Sequence, residues 1–569
     1  MLSVMSYLNI KAKAENTYDA IVVGSGISGG WAAKELCEKG LKTLVLERGP
    51  MVEHIKDYPT ANYAPWDFAH RNVITEKMRE EQHIQVRGFC TEANKHFFVN
   101  DKDHPYNQIK PYDWIRGYHV GGRSLTWGRQ CYRWSDLDFE ANAKDGHGVD
   151  WPIRYKDIAP WYSYVEKFVG VSGSTEGLPQ LPDGEFLPPM EMNCLEKHVS
   201  GSINEAFPER KMIIGRVANL TRGLHERGPC QFRNACDRGC PFSGYFSSNS
   251  ATLPAARATG NLTLRPNSVV SEVIYDKDSK KATGVRIIDA ETLNTEEYYA
   301  KIIFLNASTI GSTFILLHSI SDAFPSGLGN SSGQVGHNLM DHHYHVGAAG
   351  THEGFKDEYT FGRRPNGIYV PRFRNVNEKT KRTDYVRGFG HQGGAARGRF
   401  GGSENIGILL KEEAAGLGDW SFWLGAWGEQ LPDYDNKVSL SNEKKDKWGL
   451  PLLDIDCEWK ENELAMRKDM MNSAAEMLES AGIKNISTFD DNKAYPGLCI
   501  HEMGTARMGK DPKTSVLNKW NQLHEVKNVF VTDGACMTSS ANQNPSITYM
   551  ALTARAADFA VKELKKGNL

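Results

Sequence analysis

Residues 18–47 read YDAIVVGSGISGGWAAKELCEKGLKTLVLE, and their order decides the fold class. YDAIVV is a short buried strand, GSGISGG a glycine turn, WAAKELCEKG a helix that ends on Gly40, and KTLVLE a second strand. A dinucleotide's phosphates need close backbone approach and unpaired N–H groups at a helix start. Gly24 suits the tight turn, Gly26 the approach and Gly29 the close packing of helix on strand. Glu47, with Arg48 beside it, ends the second strand about 20 residues past the glycines, where a carboxylate accepts both ribose hydroxyls. This predicts dinucleotide binding and leaves FAD and NAD open, since both use an acidic residue on the adenosine ribose.

The chain has 569 residues, 40% of them hydrophobic and 24% charged, with a net charge of −3. Such a balance is ordinary for a globular protein and gives no electrostatic footprint for nucleic acid. The opening stretch MLSVMSYLNIKAKAENTYDA has no long apolar core, twin arginine or clear cleavage site, so the expected location is cytoplasmic. No apolar run reaches the roughly 18 residues of a membrane span.

The choice of flavin comes from further along. GYHVGGRSLTWG (117–128) sets Gly121, Gly122 and Ser124 among aromatics, a composition suited to backbone lying against a flat ring. IHEMGTARMG (500–509) precedes NVFVTDGA (528–535), a strand running into a turn, and SSANQNPSITYMAL opens a long C-terminal helix. Pro545 suits the first helical position and Asn544 is a natural cap before it. The free N–H groups of that helix start favour the negative charge of a reduced flavin.

These residues resemble the glucose-methanol-choline oxidoreductases over nearly the whole chain. The resemblance rests on GSGISGG with Glu47, VGGRSLTWG, LGNSSGQVGHNLMDH (328–342), HEMGTARMG and DGACMTSSANQNPSITYMAL. It is nearest to the branch of pyranose oxidase and the large subunits of bacterial gluconate, fructose and glucoside dehydrogenases. It implies FAD as cofactor and His501 as the base over the flavin, with Asn544 as its partner. Gly121, Gly122, Ser124, Trp127, Asp533, Gly534, Pro545, Ser546 and Ile547 then become flavin contacts, and Val270 an adenine contact. Pyranose oxidases tether their flavin to a His of the VGG loop; Thr126 stands at the corresponding position here, so the FAD is expected to be non-covalent. The chemistry agrees, because oxidising an alcohol requires hydride transfer to flavin N5 while a base titrating near neutrality takes the hydroxyl proton.

GPCQFRNACDRGCPFSGYFSS (228–248) groups Cys230, Cys236 and Cys240, and its Cys-x3-Cys-Pro end is similar to part of a ferredoxin motif. Two readings stand open: a [3Fe-4S] cluster, carried by some dehydrogenases of this branch, or three buried thiols, adventitious zinc included. With a cluster, electrons leave singly to a redox protein, and a small subunit joins the expected partners, one that can also carry an export signal to the periplasm. The histidines of GHNLMDHHYH, His337, His342, His343 and His345, are read as structural or as supporting the site from behind its contact residues, not as metal ligands.

The expected fold is α/β, an FAD-binding Rossmann-like domain (15–155, 216–340 and 495–569) interleaved with a substrate-binding domain built on an antiparallel sheet (156–215 and 341–494). Residues 262–288 are expected to form an antiparallel hairpin about KDSKK, and 461–482 a helix. Trp420, Trp423 and Trp427 would stack on a pyranose, and Glu429, Gln430 and Asp433 are candidate hydroxyl binders. The leading function is an FAD-dependent sugar or glycoside dehydrogenase making a ring ketone, at carbon 3 in one version. The rivals are an oxygen-using sugar oxidase, a flavin-containing lyase and a nicotinamide dehydrogenase.

Overall fold

The computed structural model describes residues 15–360, 362, 364–399, 404–491 and 494–569; the N-terminal reading of residues 1–14 lies outside them. The fingerprint folds in the order its residues dictate. Strand β1 (Thr17–Val23) enters the glycine turn, helix α1 (Ile27–Glu38) leaves it, and β2 (Thr43–Leu46) lies parallel to β1 with Val23 opposite Leu46. Ala20 to Val23 and all of β2 are buried, as a sheet covered on both faces requires.

The segment 262–288 divides differently from the expected hairpin. Its first residues form β3 (Leu262–Arg265), a parallel edge strand on β2, and only β4 (Ser268–Asp276) and β5 (Lys281–Asp289) make the hairpin, which turns at 277–280. Pro266 and Asn267 cause the break: proline cannot supply a ladder donor, and Asn267 takes a positive φ of 52°. Strand β6 (Thr295–Leu305) completes the core of the sheet. It lies parallel to β1, and its first half also pairs antiparallel with β5. Helix α2 (Thr309–His318) follows.

A second, antiparallel sheet holds β7 (Val346–His352), β8 (Ile368–Val370), β9 (Phe389–Arg399), β10 (Leu417–Gly428) and β11 (Lys484–Asp490) in the order β11-β7-β10-β9-β8, with the pair Ile213–Ile214 at the β8 edge. Helix α3 (Glu461–Ser480), at the expected place, packs Met466, Met470 and Met477 onto one face of this sheet, together with Leu195, Val199 and Ile203 of helix 194–206. The opposite face looks toward the first sheet.

The chain then returns to the first sheet. Strand β12 (Val529–Val531) pairs parallel with the second half of β6, and helix α4 (Ser546–Lys565) packs on α1. Among the described residues no helix is long and apolar enough to cross a membrane.

Candidate active site

One cavity of about 1610 Å³ runs between the sheets, from the glycine turn to the loop carrying His501. That exceeds the roughly 300–1,000 Å³ that encloses a single small ligand.

At the nucleotide end the glycines separate by role. Gly24 has φ +95°, and a Cβ there would sit 2.3 Å from the Asn306 carbonyl oxygen; a Cβ on Gly29 would sit 1.9 Å from the Gly24 oxygen. Both are demanded by packing. A Cβ on Gly26 would meet nothing within 4 Å, no side chain caps the helix that starts there, and Gly26, Ile27 and Ser28 line the cavity. That is a cradle shaped for a phosphate pair. Glu47 is buried beneath it: Ser25 N and Oγ donate to Oε2 at 3.1 and 2.6 Å, and Gly49 N to Oε1 at 3.0 Å. Burial pushes its carboxyl pKa up, against those donors. Arg48 is held between the rings of Tyr118 and Trp448, 4.6 Å from each centroid, and Arg48 and Val270 both line the cavity.

The VGG loop closes on this turn. Gly121 N donates to Ser25 Oγ at 2.9 Å, and Ser124 Oγ donates to Gly121 O at 2.6 Å and accepts from Ser248 N at 3.0 Å. Gly122, Ser124, Thr126 and Trp127 reach the cavity wall. Arg123 forms a two-pronged ion pair with buried Glu502, at 3.2 and 2.9 Å, which ties this loop to the His501 loop. His119, the histidine of the loop, is turned away onto Val120 O.

At the far end stand His501, Asn544, Asp533, Gly534 and Ser546, all on the wall, while Pro545 and Ile547 are not. The helix start differs from the expected one. Pro545 is itself the residue before the helix, in αR conformation, and Asn544 does not cap it; its Oδ1 accepts from Gln392 Nε2 at 2.7 Å. The side chain therefore faces the cavity rather than the helix.

His501 is held by three groups that sequence spacing does not bring together. The amides of Gly497, Cys499 and His501 donate to the Asp341 carboxylate at 2.8, 3.1 and 2.9 Å, which fixes the loop. His501 Nδ1 lies 2.9 Å from His342 Nδ1 and 3.4 Å from Cys499 Sγ. His342 Nε2 faces the carbonyls of Ser540 and Ala541 at 3.1 and 2.9 Å, so it must carry the proton. Neutral His342 then offers only a lone pair at Nδ1, His501 Nδ1 donates to it, and His501 Nε2 is left unprotonated. Burial, with His342 and Arg123 nearby, holds the His501 pKa well below the usual imidazole range. The other motif histidines scatter: His337 onto Tyr434, His343 against Gly428 and His345 toward Asp491. Asp341 and His342 both lie in the LMDH motif, which was the available signal.

The proposed sugar contacts divide by strand parity. Trp423 and Trp427 line the cavity, but Trp420 is fully buried in the core with its Nε1 on Phe355 O. Glu429 pairs with Arg387 at 2.6 Å, Gln430 bonds to Asp341 N at 2.7 Å, and Asp433 pairs with Lys460; none of the three reaches the wall. Cys236 does line the cavity, whereas Cys230 and Cys240 do not, and all three are free thiols.

A nucleotide-binding sheet with a parallel core, a glycine cradle above a buried carboxylate, and an unprotonated imidazole across the same cavity define an FAD-dependent oxidoreductase acting on CH–OH groups. The chain belongs to the GMC oxidoreductase family, whose models match residues 18–344 and 432–553. It is 30% identical to 2-methyl-1,2-propanediol dehydrogenase of Mycolicibacterium austroafricanum, over 95% of this chain and 94% of that one. It is 26% identical to the fructose dehydrogenase large subunit of Gluconobacter japonicus, over 96% and 98%. The fold matches the crystal structure of pyridoxine 4-oxidase from Mesorbium loti with a TM-score of 0.60 at 15% identity, over 95% and 98% of the two chains.

Proposed function

We propose that this enzyme is a sugar or glycoside dehydrogenase that converts a secondary ring hydroxyl to a ketone, at carbon 3 of a glucoside in its most specific form. The observation that carries the reading is the proton order of the histidine pair, which leaves His501 Nε2 as a lone pair in a cavity that Asn544 also lines. His501 Nε2 takes the hydroxyl proton. Asn544, its Oδ1 occupied by Gln392, offers Nδ2 to the same hydroxyl oxygen and does not compete for the proton. Bound FAD supplies the hydride acceptor, held without a covalent link by the Gly26 cradle, Glu47, Arg48, Val270, the VGG loop and the Asp533–Ser546 wall. Trp423 and Trp427 offer flat apolar faces to a pyranose. Residues 15–155, 216–340 and 495–569 would be the FAD-binding part, and 156–215 and 341–494 the substrate part.

The three clustered thiols, Cys230, Cys236 and Cys240, would be the ligands of a [3Fe-4S] cluster. Phe232 N and Gly244 N each donate to a thiol, Cys230 and Cys240 respectively, at 3.4 Å, and the three groups act on one another electrostatically. Spread over separate irons, they would pass electrons singly from the cavity wall to a partner protein.

The test is to purify the protein without added cofactor, assay iron and acid-labile sulfide, and mix it anaerobically with glucose or a glucoside. Flavin bleaching together with iron and sulfide supports both proposals. A flavin that stays oxidised across a sugar panel defeats the sugar reading, and absent iron defeats the cluster. Rapid peroxide formation in air would favour an oxidase.

A further inference from the structure

His342, Cys499 and His501 each bring a ligand atom within 4.8 Å of the other two, with His501 Nδ1 2.9 Å from His342 Nδ1 and 3.4 Å from Cys499 Sγ. Two imidazoles and a thiol are a ligand set for zinc, cadmium or copper and not for magnesium or calcium. Tetrahedral zinc, with bonds of about 2.0–2.1 Å to nitrogen and 2.3 Å to sulfur, needs separations of about 3.3 Å between nitrogens and 3.6 Å between nitrogen and sulfur. The observed 2.9 Å and 3.4 Å fall a few tenths short, within reach of small ring rotations.

The surroundings also suit a ligand set. His342 Nε2 is fixed by two backbone carbonyls, the arrangement that aims the other nitrogen of a ligating histidine. Cys499 and His501 are set relative to each other because the amides of both donate to Asp341. Burial pushes the Cys499 thiol pKa up, and the nearby Asp341 and Glu502 carboxyls push it the same way; those carboxyls favour a bound cation, while Arg123 beside His501 opposes one. Cys499 and His501 both border the cavity, which leaves a fourth position for water.

We infer that His342, Cys499 and His501 form an inhibitory site for a soft divalent metal such as zinc. On binding, the Cys499 thiol proton leaves to solvent and two nitrogen lone pairs and one thiolate bind the ion. The His501 proton moves from Nδ1 to Nε2. Turnover stops because Nε2 can no longer accept a proton; this consequence rests on His501 being the base, whereas the site itself does not.

Zinc chloride is soaked into crystals of the holoenzyme, and anomalous differences are collected at the zinc edge. Zinc binding and turnover are measured in solution for wild type, Cys499→Ser and Cys499→Ala. A peak bonded to all three atoms is expected, with affinity at that site at least about tenfold lower in both variants. No peak there, or unchanged binding in both variants, overturns the proposal. Inhibition without the peak also overturns it, by placing the metal elsewhere. A peak without inhibition upholds the site and removes His501 as the base.

Discussion

Replacing His342 by leucine deletes the acceptor of the His501 Nδ1 proton without touching the cavity wall, on which His342 does not lie. In the resting enzyme this bond joins two neutral rings and is worth about 0.5–1.5 kcal/mol. As His501 takes the substrate proton it becomes an imidazolium, and the same bond becomes charge-assisted, worth about 1.5–3 kcal/mol. Only the gain between the two states, about 1–1.5 kcal/mol, changes the barrier, so at about 1.36 kcal/mol per decade the variant should lose on the order of 5- to 13-fold in the rate of flavin reduction. KM should change little, because no substrate contact is removed. His342→Gln keeps an acceptor oxygen in reach and should recover part of the loss. The assay is anaerobic stopped-flow reduction of the bound flavin by the best sugar substrate. A His342→Leu rate within twofold of wild type, with flavin fully bound, would refute the proton order deduced for the pair.

Three further outcomes follow from the geometry. Gly26→Ala should fold normally, since its Cβ meets nothing, yet purify without flavin, whereas Gly24→Ala should fail to fold because its Cβ strikes backbone; flavin content and thermal melts separate the two. Glu47→Gln removes a charged acceptor of the cradle and should weaken FAD retention by about 10- to 150-fold, from about 1.5–3 kcal/mol, read as the flavin-to-protein ratio after gel filtration. Because the neutral imidazole is the base and the His501 pKa is depressed, activity should persist as pH falls through the ordinary histidine value of about 6.5 and be lost only well below it; an acid limb of kcat/KM at that ordinary value would contradict this.

The parts legible in the sequence were those written contiguously. Strand, glycine turn, helix and carboxylate occupy 30 successive residues, 18–47, and each has a local physical cause. Helix 461–480 was legible for the same reason. What escaped depends on which way side chains turn. Nothing local tells that His342 swings to His501 while His343, one residue on, packs against Gly428, because neighbours on extended backbone face opposite ways. Trp420 and Trp423 part by the same parity, which only the register of β10 reveals. Asn544 was misread because capping is the usual fate of an asparagine before a helix, and here Gln392, from a strand of the other sheet, claims it.

Strand β6 has a consequence for how the protein is made. On the edge away from β1, its first half is paired by the hairpin just before it, but its second half waits for β12, near the C-terminus. On a nascent chain leaving the ribosome, β1, β2, β3 and β6 can assemble the nucleotide end of the cavity while His501, β12 and Asn544 are still unmade. The cradle for the cofactor thus precedes the base and the last parallel strand. Closure of the sheet by so distant a segment should be a slow step of folding.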